Sequence, residues 1–544
     1  MSTLFDAIHE GEDAVVRALR AGVSPEADDE GETPLYRAAL ANEAGIVRLL
    51  LATGADPARG SGEEAGDLPL CGAACGGHAE VVRALLAGGA RADQAEAYGF
   101  TALDWAVRLG HAETVRILLE HGADPGRPGP DGLPPLVAAA RRGSTASVRA
   151  LIEYGAGPVE DALREARRWI GVDIAEELRR GLLETSGGDG SGETVVRRVH
   201  EDGGVTVVVE LLRADGAPSS GNEQQTGHAA IATLLERARG DRTPPEELAE
   251  RALRCGDPDL DDWSTAVRTL ADRGDEETFR TATAWCASEE PLRRALGARV
   301  LGGLDGFTAQ AVPVLRRLAA ETWPGGPGSA GPGVPRAGQA PGSSHLEPGG
   351  PAGDPPGGVP GVAANPAAAV PGQDASTRVA PAREPALSVV VALGQYGESV
   401  ALPEMVAFAS HPDVEVRRAL GCALTGPVPA GDAGAVETLV ALSRDHDHGV
   451  RDWATLALAE VPEDTPVLRE ALAARLDDED PDVVAEAARG LAMRQDPRAV
   501  EVLAWILAER DDEGTARDTA LAAVEYIEDP RVRTRLEWTT PRCR

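Results

Sequence analysis

Leucines at positions 35, 70, 103 and 136 are separated by 35, 33 and 33 residues, and glycines at 54, 89, 122 and 155 keep the same steps. A period of this length commits the N-terminal part of the chain to a stack of like units, because one such unit cannot bury its own apolar face. The copy from Gly99 to Pro125 shows the unit most plainly. Thr101 is placed to cap a short helix in which Leu103, Ala106 and Val107 share a face. Gly110-His111 turns the chain into a second helix with Val115, Leu118 and Leu119 at i, i+3 and i+4. Gly122 stops it, as a residue at ease in the left-handed region. Leu118 is therefore expected in the core and Arg108, one face over, in solvent.

Three short motifs recur in fixed order. They are Thr33-Pro34-Leu35, then Gly77-His78 and Gly110-His111, then Leu50-Leu51-Ala52-Thr53-Gly54-Ala55 and Leu118-Leu119-Glu120-His121-Gly122-Ala123. Together they resemble the ankyrin repeat. The resemblance implies helix pairs joined by hairpin fingers, about five of them over residues 1–158, with a degenerate first copy from Leu4 to Gly22. The family's signature histidine is replaced by Tyr36, Cys71, Asp104 and Val137. In the family that histidine ties neighbouring repeats, so its loss implies a looser array. Residues 159–185 place Leu163, Ala166 and Ile170 on one face, and Asp173 to Glu176 forms a capping-box pattern. This pair is expected to cap the stack.

At 544 residues the chain needs two or more folding units. Aromatic residues are 3% against 42% hydrophobic overall, a skew that suits closely packed alanine- and leucine-rich helices rather than a β-sandwich. All 53 basic residues are arginine, the composition expected of a G+C-rich bacterial gene. A formal charge of −35 argues against binding a phosphate backbone, so no nucleic-acid partner is expected. The N-terminus has no basic region followed by an apolar run, and no stretch approaches the ~20 apolar residues of a membrane span. No membrane partner is expected, and six scattered cysteines fit a reducing compartment, the cytoplasm.

Residues 186–222 read as a Gly/Ser linker followed by a β-hairpin, Thr194 to His200 and Val205 to Leu212 about a Glu-Asp-Gly-Gly turn. Residues 223–323 read as helices. Residues 324–382 are nearly half Pro or Gly, without periodicity, and are expected to be a disordered insertion. Helices resume over 383–544 with a second period. Asp413-x-x-x-Arg417 returns 34 residues later as Asp447-x-x-x-Arg451, and Asp480 follows after another 34, with Ala485 in the arginine place. Glu290 to Leu296 is a weaker earlier copy. The Asp-x-x-Val-Arg-x-x-Ala core resembles short HEAT repeats of the kind also found in bilin lyases. The resemblance implies a ladder in which Asp and Arg of this motif pair between successive repeats. The expected fold is thus all-α: an ankyrin solenoid, a small hairpin, and a HEAT-like α-α superhelix.

Chemistry-bearing clusters are few. Cys71, Cys75 and His78 at i, i+4 and i+7 share a helix face with zinc-ligand identities, but His78 is the Gly-His residue of the repeat and Cys71 fills the signature slot. His446, Asp447 and His448, with His411 one repeat earlier, read as solvated loops. No phosphate loop, nucleophile elbow or His-Glu-x-x-His occurs, so no catalytic residue and no cofactor is expected. Cys422, between Leu420 and Leu424, reads as core, which argues against a lyase- or chaperone-like pocket in the second array. What remains is surface. Residues 1–100 hold 17 acids against 7 arginines, whereas 101–160 hold 7 against 6. Asp28, Asp29 and Glu30 occupy the first finger; Glu63 and Glu64 occupy the second, which is about two residues longer than the rest. This acidity is either a solubilising face or a site for a protein partner with basic segments.

Overall fold

The computed structural model describes residues 4–62, 66–185, 193–201, 203–213, 215–323, 383–396, 402–426, 428, 432–508 and 514–539. The insertion read at 324–382 and the linker at 186–192 lie outside them. The chain is mostly helical with one small sheet. It divides into two compact units, residues 1–288 with 299–307, and residues 289–298 with 308–544.

The first unit begins with five helix pairs: α1 (Leu4–Glu10) with α2 (Glu12–Arg20), α3 (Pro34–Leu40) with α4 (Ala44–Ala52), α5 (Pro69–Cys75) with α6 (Ala79–Ala87), α7 (Ala102–Leu109) with α8 (Ala112–Glu120), and α9 (Pro135–Arg142) with α10 (Thr145–Glu153). Their boundaries follow from local chemistry. Thr33 caps α3 by accepting from the Tyr36 N–H. Thr101 and Asp104 form a reciprocal capping box on α7, so the residue in the signature-histidine slot here closes its own helix. Prolines at the first turn of α3, α5 and α9 forfeit only N–H groups that a helix start leaves unpaired.

After α11 (Val159–Trp169) and α12 (Ile174–Thr185) come strands β1 (Thr194–Glu201), β2 (Gly204–Leu212) and β3 (Pro218–Gln225), then α13 (His228–Arg239), α14 (Pro245–Leu253), α15 (Asp261–Ala271) and α16 (Glu276–Cys286). One apolar seam runs from Leu4 through Leu50, Leu85, Leu118, Leu151 and Leu163 to Ile231 and Leu235. It shows that α11 does not end the stack. Helix α9 lies against one side of it and α13 against the other, and α13 packs in turn on α15. Residues 159–169 are therefore internal. Only α12 leaves the stack, covering one face of the sheet through Ile174, Leu178 and Leu182 against Val207 and Val209.

The sheet corrects the expected two-stranded hairpin: it is antiparallel with order β1-β2-β3, and β3 extends past the boundary drawn at 223. Pro-Ser-Ser-Gly-Asn-Glu-Gln-Gln has no strand propensity of its own. It is held by tertiary partners instead, because the Arg142 guanidinium donates to the Glu223 carbonyl at 2.6 Å and Gln224 donates to the Arg141 carbonyl. The close approach demands glycine at 143, where φ is +79° and a Cβ would strike the Gln225 backbone.

Buried ionisable groups fasten this junction. Glu236 accepts from both terminal nitrogens of Arg251 at 2.8 Å, from Arg167 at 2.7 Å and from Thr243 at 2.5 Å. These partners tie α11, α13 and α14 and hold the carboxyl down at about 2 despite its burial. Thr243 is thus spent on Glu236 rather than on capping α14, whose N-cap is Pro244. His228, 2% exposed, stacks on Trp169 with ring centroids 5.5 Å apart. Its Nε2 lies 3.2 Å from the Arg141 carbonyl.

In the second unit, α17 (Pro291–Gly302), through which the division passes, is followed by α18 (Thr308–Thr322), α19 (Arg383–Gln395), α20 (Leu402–Val406), α21 (Val414–Ala423), α22 (Ala433–Leu442), α23 (His448–Glu460), α24 (Pro466–Ala473), α25 (Pro481–Met493), α26 (Arg498–Ala508), α27 (Thr515–Val524) and α28 (Pro530–Thr539). Helices α19, α21, α23, α25 and α27 pack successively as one layer, with α20, α22 and α24 in a second. Asp413 and Asp447 do not pair with the arginine of their own motif, and the Asp480 copy has none; each of the three caps its own helix. Arg417 instead reaches Asp445 at 2.7 Å, and Arg451 reaches Asp478 at 2.8 Å. In both, the acid stands two residues before the next capping aspartate.

Two measurements check this account. Leu118 is fully buried, and Leu118→Ala should cost about 2–5 kcal/mol in chemical denaturation. Burial pulls His228 down from 6.5 to about 4, so acid protonates the unfolded chain first and removes stability as pH falls through that window. Asp262, which accepts from the Ala230 N–H at 2.7 Å, is pushed up from 3.8 to about 6 by burial and acts with the opposite sign. The aspartate is common to parent and variant. The stability difference between them should therefore move in favour of His228→Gln by about 2 kcal/mol between pH 7.5 and pH 4.5, read by urea unfolding.

Candidate protein-interaction surface

The fingers are built from backbone pairs at the end of each connecting loop. In the first, Asp29 and Glu32 exchange N–H to carbonyl bonds of 3.2 and 2.9 Å about a two-residue tip, Glu30 and Gly31, both at positive φ. In the second, Ser61 and Asp67 exchange bonds of 2.8 and 3.0 Å. The Ser61 hydroxyl, fully buried, meets the Thr33 hydroxyl at 2.8 Å and so ties the second finger to the cap of α3.

Neighbouring loops are laced by arginine. Arg59 donates to the Glu26 carbonyl and carboxylate at 2.8 and 2.6 Å, and Glu26 accepts from the Asp56 N–H. One step along, Arg127 donates to the Asp93 carbonyl at 2.7 Å, and Asp93 accepts from the Asp124 N–H at 2.9 Å. Behind the fingers, His78 reaches the Leu40 carbonyl at 3.2 Å, His111 the Cys75 carbonyl at 3.0 Å, and Arg142 the Leu109 carbonyl at 3.0 Å. These side chains tie repeat to repeat where the signature histidine is missing.

The lacing sorts the acids. Asp28 accepts from the Gly31 N–H at 3.0 Å and pairs with Arg59 at 3.3 Å, so it belongs to the finger's own structure. Asp29 and Glu30 are exposed and make no ion pair among the described residues. Glu63 and Glu64 lie outside the described residues. Two acids missing from the sequence-derived set stand nearby, Asp67 and Glu96, and neither has an arginine partner among the described residues. Glu96 accepts from the Trp105 indole at 2.9 Å, and burial raises its pKa. Tyr36 is pushed up to about 12 by burial and by the charges of Asp67, Glu96 and Glu32. The occupancy of the signature-histidine slot by a tyrosine was the available signal for this patch.

Other candidates resolve into structure. Cys71 is buried, Cys75 is exposed, and His78 is engaged as a tether. No group of three or more His, Cys, Asp or Glu able to hold a metal occurs among the described residues. Asp447 caps α23, and His448 lies 3.0 Å from Asp480. Cys422, by contrast, is not core. It is exposed and lines a groove of about 480 Å³ with Leu387, Val391, Ala419 and Trp453. The helical phase turns Leu420 and Leu424 inward and Cys422 outward. Partial burial raises its thiol pKa, which keeps it protonated and weakly nucleophilic at neutral pH.

Residues 59–129 match the family model for ankyrin repeats in three copies, and residues 30–60 match that for a single ankyrin repeat. No curated protein matches the chain. The N-terminal region is therefore an ankyrin array, and helix pairs of the same build flank the matched span on both sides. Ankyrin repeats are non-catalytic modules that mediate contacts between proteins.

Arg108 departs from expectation. Its guanidinium lies 5.1 Å above the Phe100 ring, which stacks on Trp105, and it pairs with Asp131 of the next finger. Arg108→Ala should therefore cost about 1 kcal/mol in urea unfolding, beyond what a solvated arginine would.

Proposed function

We propose that this protein is a non-enzymatic scaffold that binds protein partners through the fingers and inner helices of its ankyrin array, and that basic segments are recognised there. The observation carrying the reading is the division among the finger acids. Arginines pair with Glu26, Asp28 and Glu32 in the frame, while Asp29, Glu30, Asp67 and Glu96 have no ion pair among the described residues. A solubilising face would need no such separation. Contact at Asp28, Asp29, Glu30, Glu63 and Glu64 is part of this proposal, with Asp28 now also a structural residue.

The second unit is read as HEAT-like, supported by the Arg417–Asp445 and Arg451–Asp478 bridges between successive helix pairs. It would supply a second binding groove. The exposed Cys422 beside Trp453 favours one alternative, in which this groove holds a small apolar molecule. Ala419→Trp should then abolish binding of an apolar dye such as Nile red, whereas the scaffold reading expects no saturable binding.

The scaffold reading is tested with the intact chain and a variant carrying Asn or Gln at all five finger acids. A peptide rich in Arg and Lys should bind the parent, with an association rate that falls as salt is raised, since the Debye length shrinks from about 10 Å at 0.1 M to 3 Å at 1 M. The variant should lose most of that rate and its salt dependence. Equal rates and equal salt dependence in a folded variant would return the acids to solubility.

A further inference from the structure

Strand β1 is an open edge. Among the described residues it pairs with β2 alone, and each of the seven residues after Thr194 is exposed. The opposite edge of the sheet is covered, since β3 bonds to the end of α9 through Arg142 and Gln224. The phase of the ladder is set by the Leu212 N–H bonding the Glu193 carbonyl at 2.8 Å. In an antiparallel pair such bonded positions alternate, so the N–H and C=O groups of Thr194, Val196, Arg198 and His200 point away from β2. Four residues in register thus present backbone donors and acceptors unused among the described residues.

Side chains qualify what could occupy that edge. Val196 and Arg198 stand opposite Val209 and Val207, on the α12 side of the sheet; Val195, Arg197 and Val199 occupy the other side. The three valines are 38%, 38% and 47% exposed, Val195 and Val199 on one face and Val196 on the other, so both faces of the edge carry apolar surface. Arg197 shares Glu210 at 2.9 Å, but Arg198 has no ion pair among the described residues of a chain with formal charge −35. Antiparallel pairing of β1 with a second copy must align these outward groups, and its two central registers set Arg198 opposite the copy's Arg198 or Arg197 opposite the copy's Arg197. Like charges directly opposite destabilise a sheet, so the edge rejects itself.

We propose that β1 takes an acidic, extended peptide segment by strand addition, with carboxylates at Arg197 and Arg198 flanked by β-branched residues along Val195, Val196 and Val199. This site is independent of the ankyrin fingers and selects the opposite charge.

The test uses the full chain and a fluorescent peptide, Thr-Val-Val-Glu-Asp-Val-Thr, whose adjacent carboxylates fall on opposite faces as Arg197 and Arg198 do, read by anisotropy. Saturable binding is expected, weakened at least ~10-fold when alternate peptide amides are N-methylated, and likewise by Lys in place of Glu and Asp. Val196→Pro removes one outward N–H without touching the β2 ladder and should abolish binding with the melting temperature unchanged. If that variant fails to fold, hydrogen exchange decides, because the Val196 and Arg198 amides should gain protection on adding peptide. Arg197→Glu with Arg198→Glu should transfer preference to the Lys peptide. No binding to the parent, or binding indifferent to N-methylation, overturns the proposal. So does a concentration-dependent dimer that Val196→Pro dissolves, which would make a second copy the occupant.

Discussion

No helix pair of the first unit can bury its own apolar face, and everything else in that unit follows from this. Leu50, Leu85, Leu118 and Leu151 are fully buried only because the next pair lies over each of them. The last ankyrin pair therefore needs a cover as much as the first does. The cover is helical but not a repeat: α11 takes the inner position and α13 continues it, so the seam closes at Leu235. The sheet is inserted between these two helices and is fastened to the stack at the α9–α10 turn. Stability of the array and placement of the sheet are one problem, joined at Arg142, Gly143 and His228.

What the sequence made legible is what repeats. The helix pairs, the capping threonines and the turn glycines recur, and each has a local cause readable over a few residues. Leu118 and Asp104 illustrate this, one by helical phase and the other by its three-residue distance from Thr101. Tertiary pairing was not legible. Strand β3 has the composition of a loop and is a strand only because Arg142 and β2 hold it. The sequence pattern of the stack ends before the sheet, and no period crosses that interruption to α13.

The site divides the same way. That the fingers are acidic was legible; which acids are engaged was not, because Arg59 lies 31 residues from Asp28 and Arg108 lies 23 from Asp131. A pairing across a repeat looks like a solvated charge in sequence. The same holds in the second unit, where Asp413 and Asp447 carry the motif, yet the arginines choose acids two residues ahead of the following one. Cys422 faces outward because Val416, Leu420 and Leu424 together set the buried stripe of its helix, which the two flanking leucines alone do not define.

The absence of lysine acquires a consequence here whatever its origin. Arg142 spans the Leu109 and Glu223 carbonyls, and Arg494, 8% exposed, donates to the Ala459 and Gly490 carbonyls at 3.0 and 2.8 Å. Arg59 does the same between loops, joining the Glu26 carbonyl to the Asp28 carboxylate. Each joins two acceptors several ångströms apart, and a planar guanidinium with five donors can do so where a single ammonium cannot. Burial lowers the pKa of Arg494, but a group that starts so high remains charged and keeps its donors. Carbonyls at repeat junctions are the acceptors a solenoid leaves exposed between stacked units. A chain with only arginine can answer them with side chains rather than water, and its acids are then divided between those the frame pairs and those with no cation among the described residues.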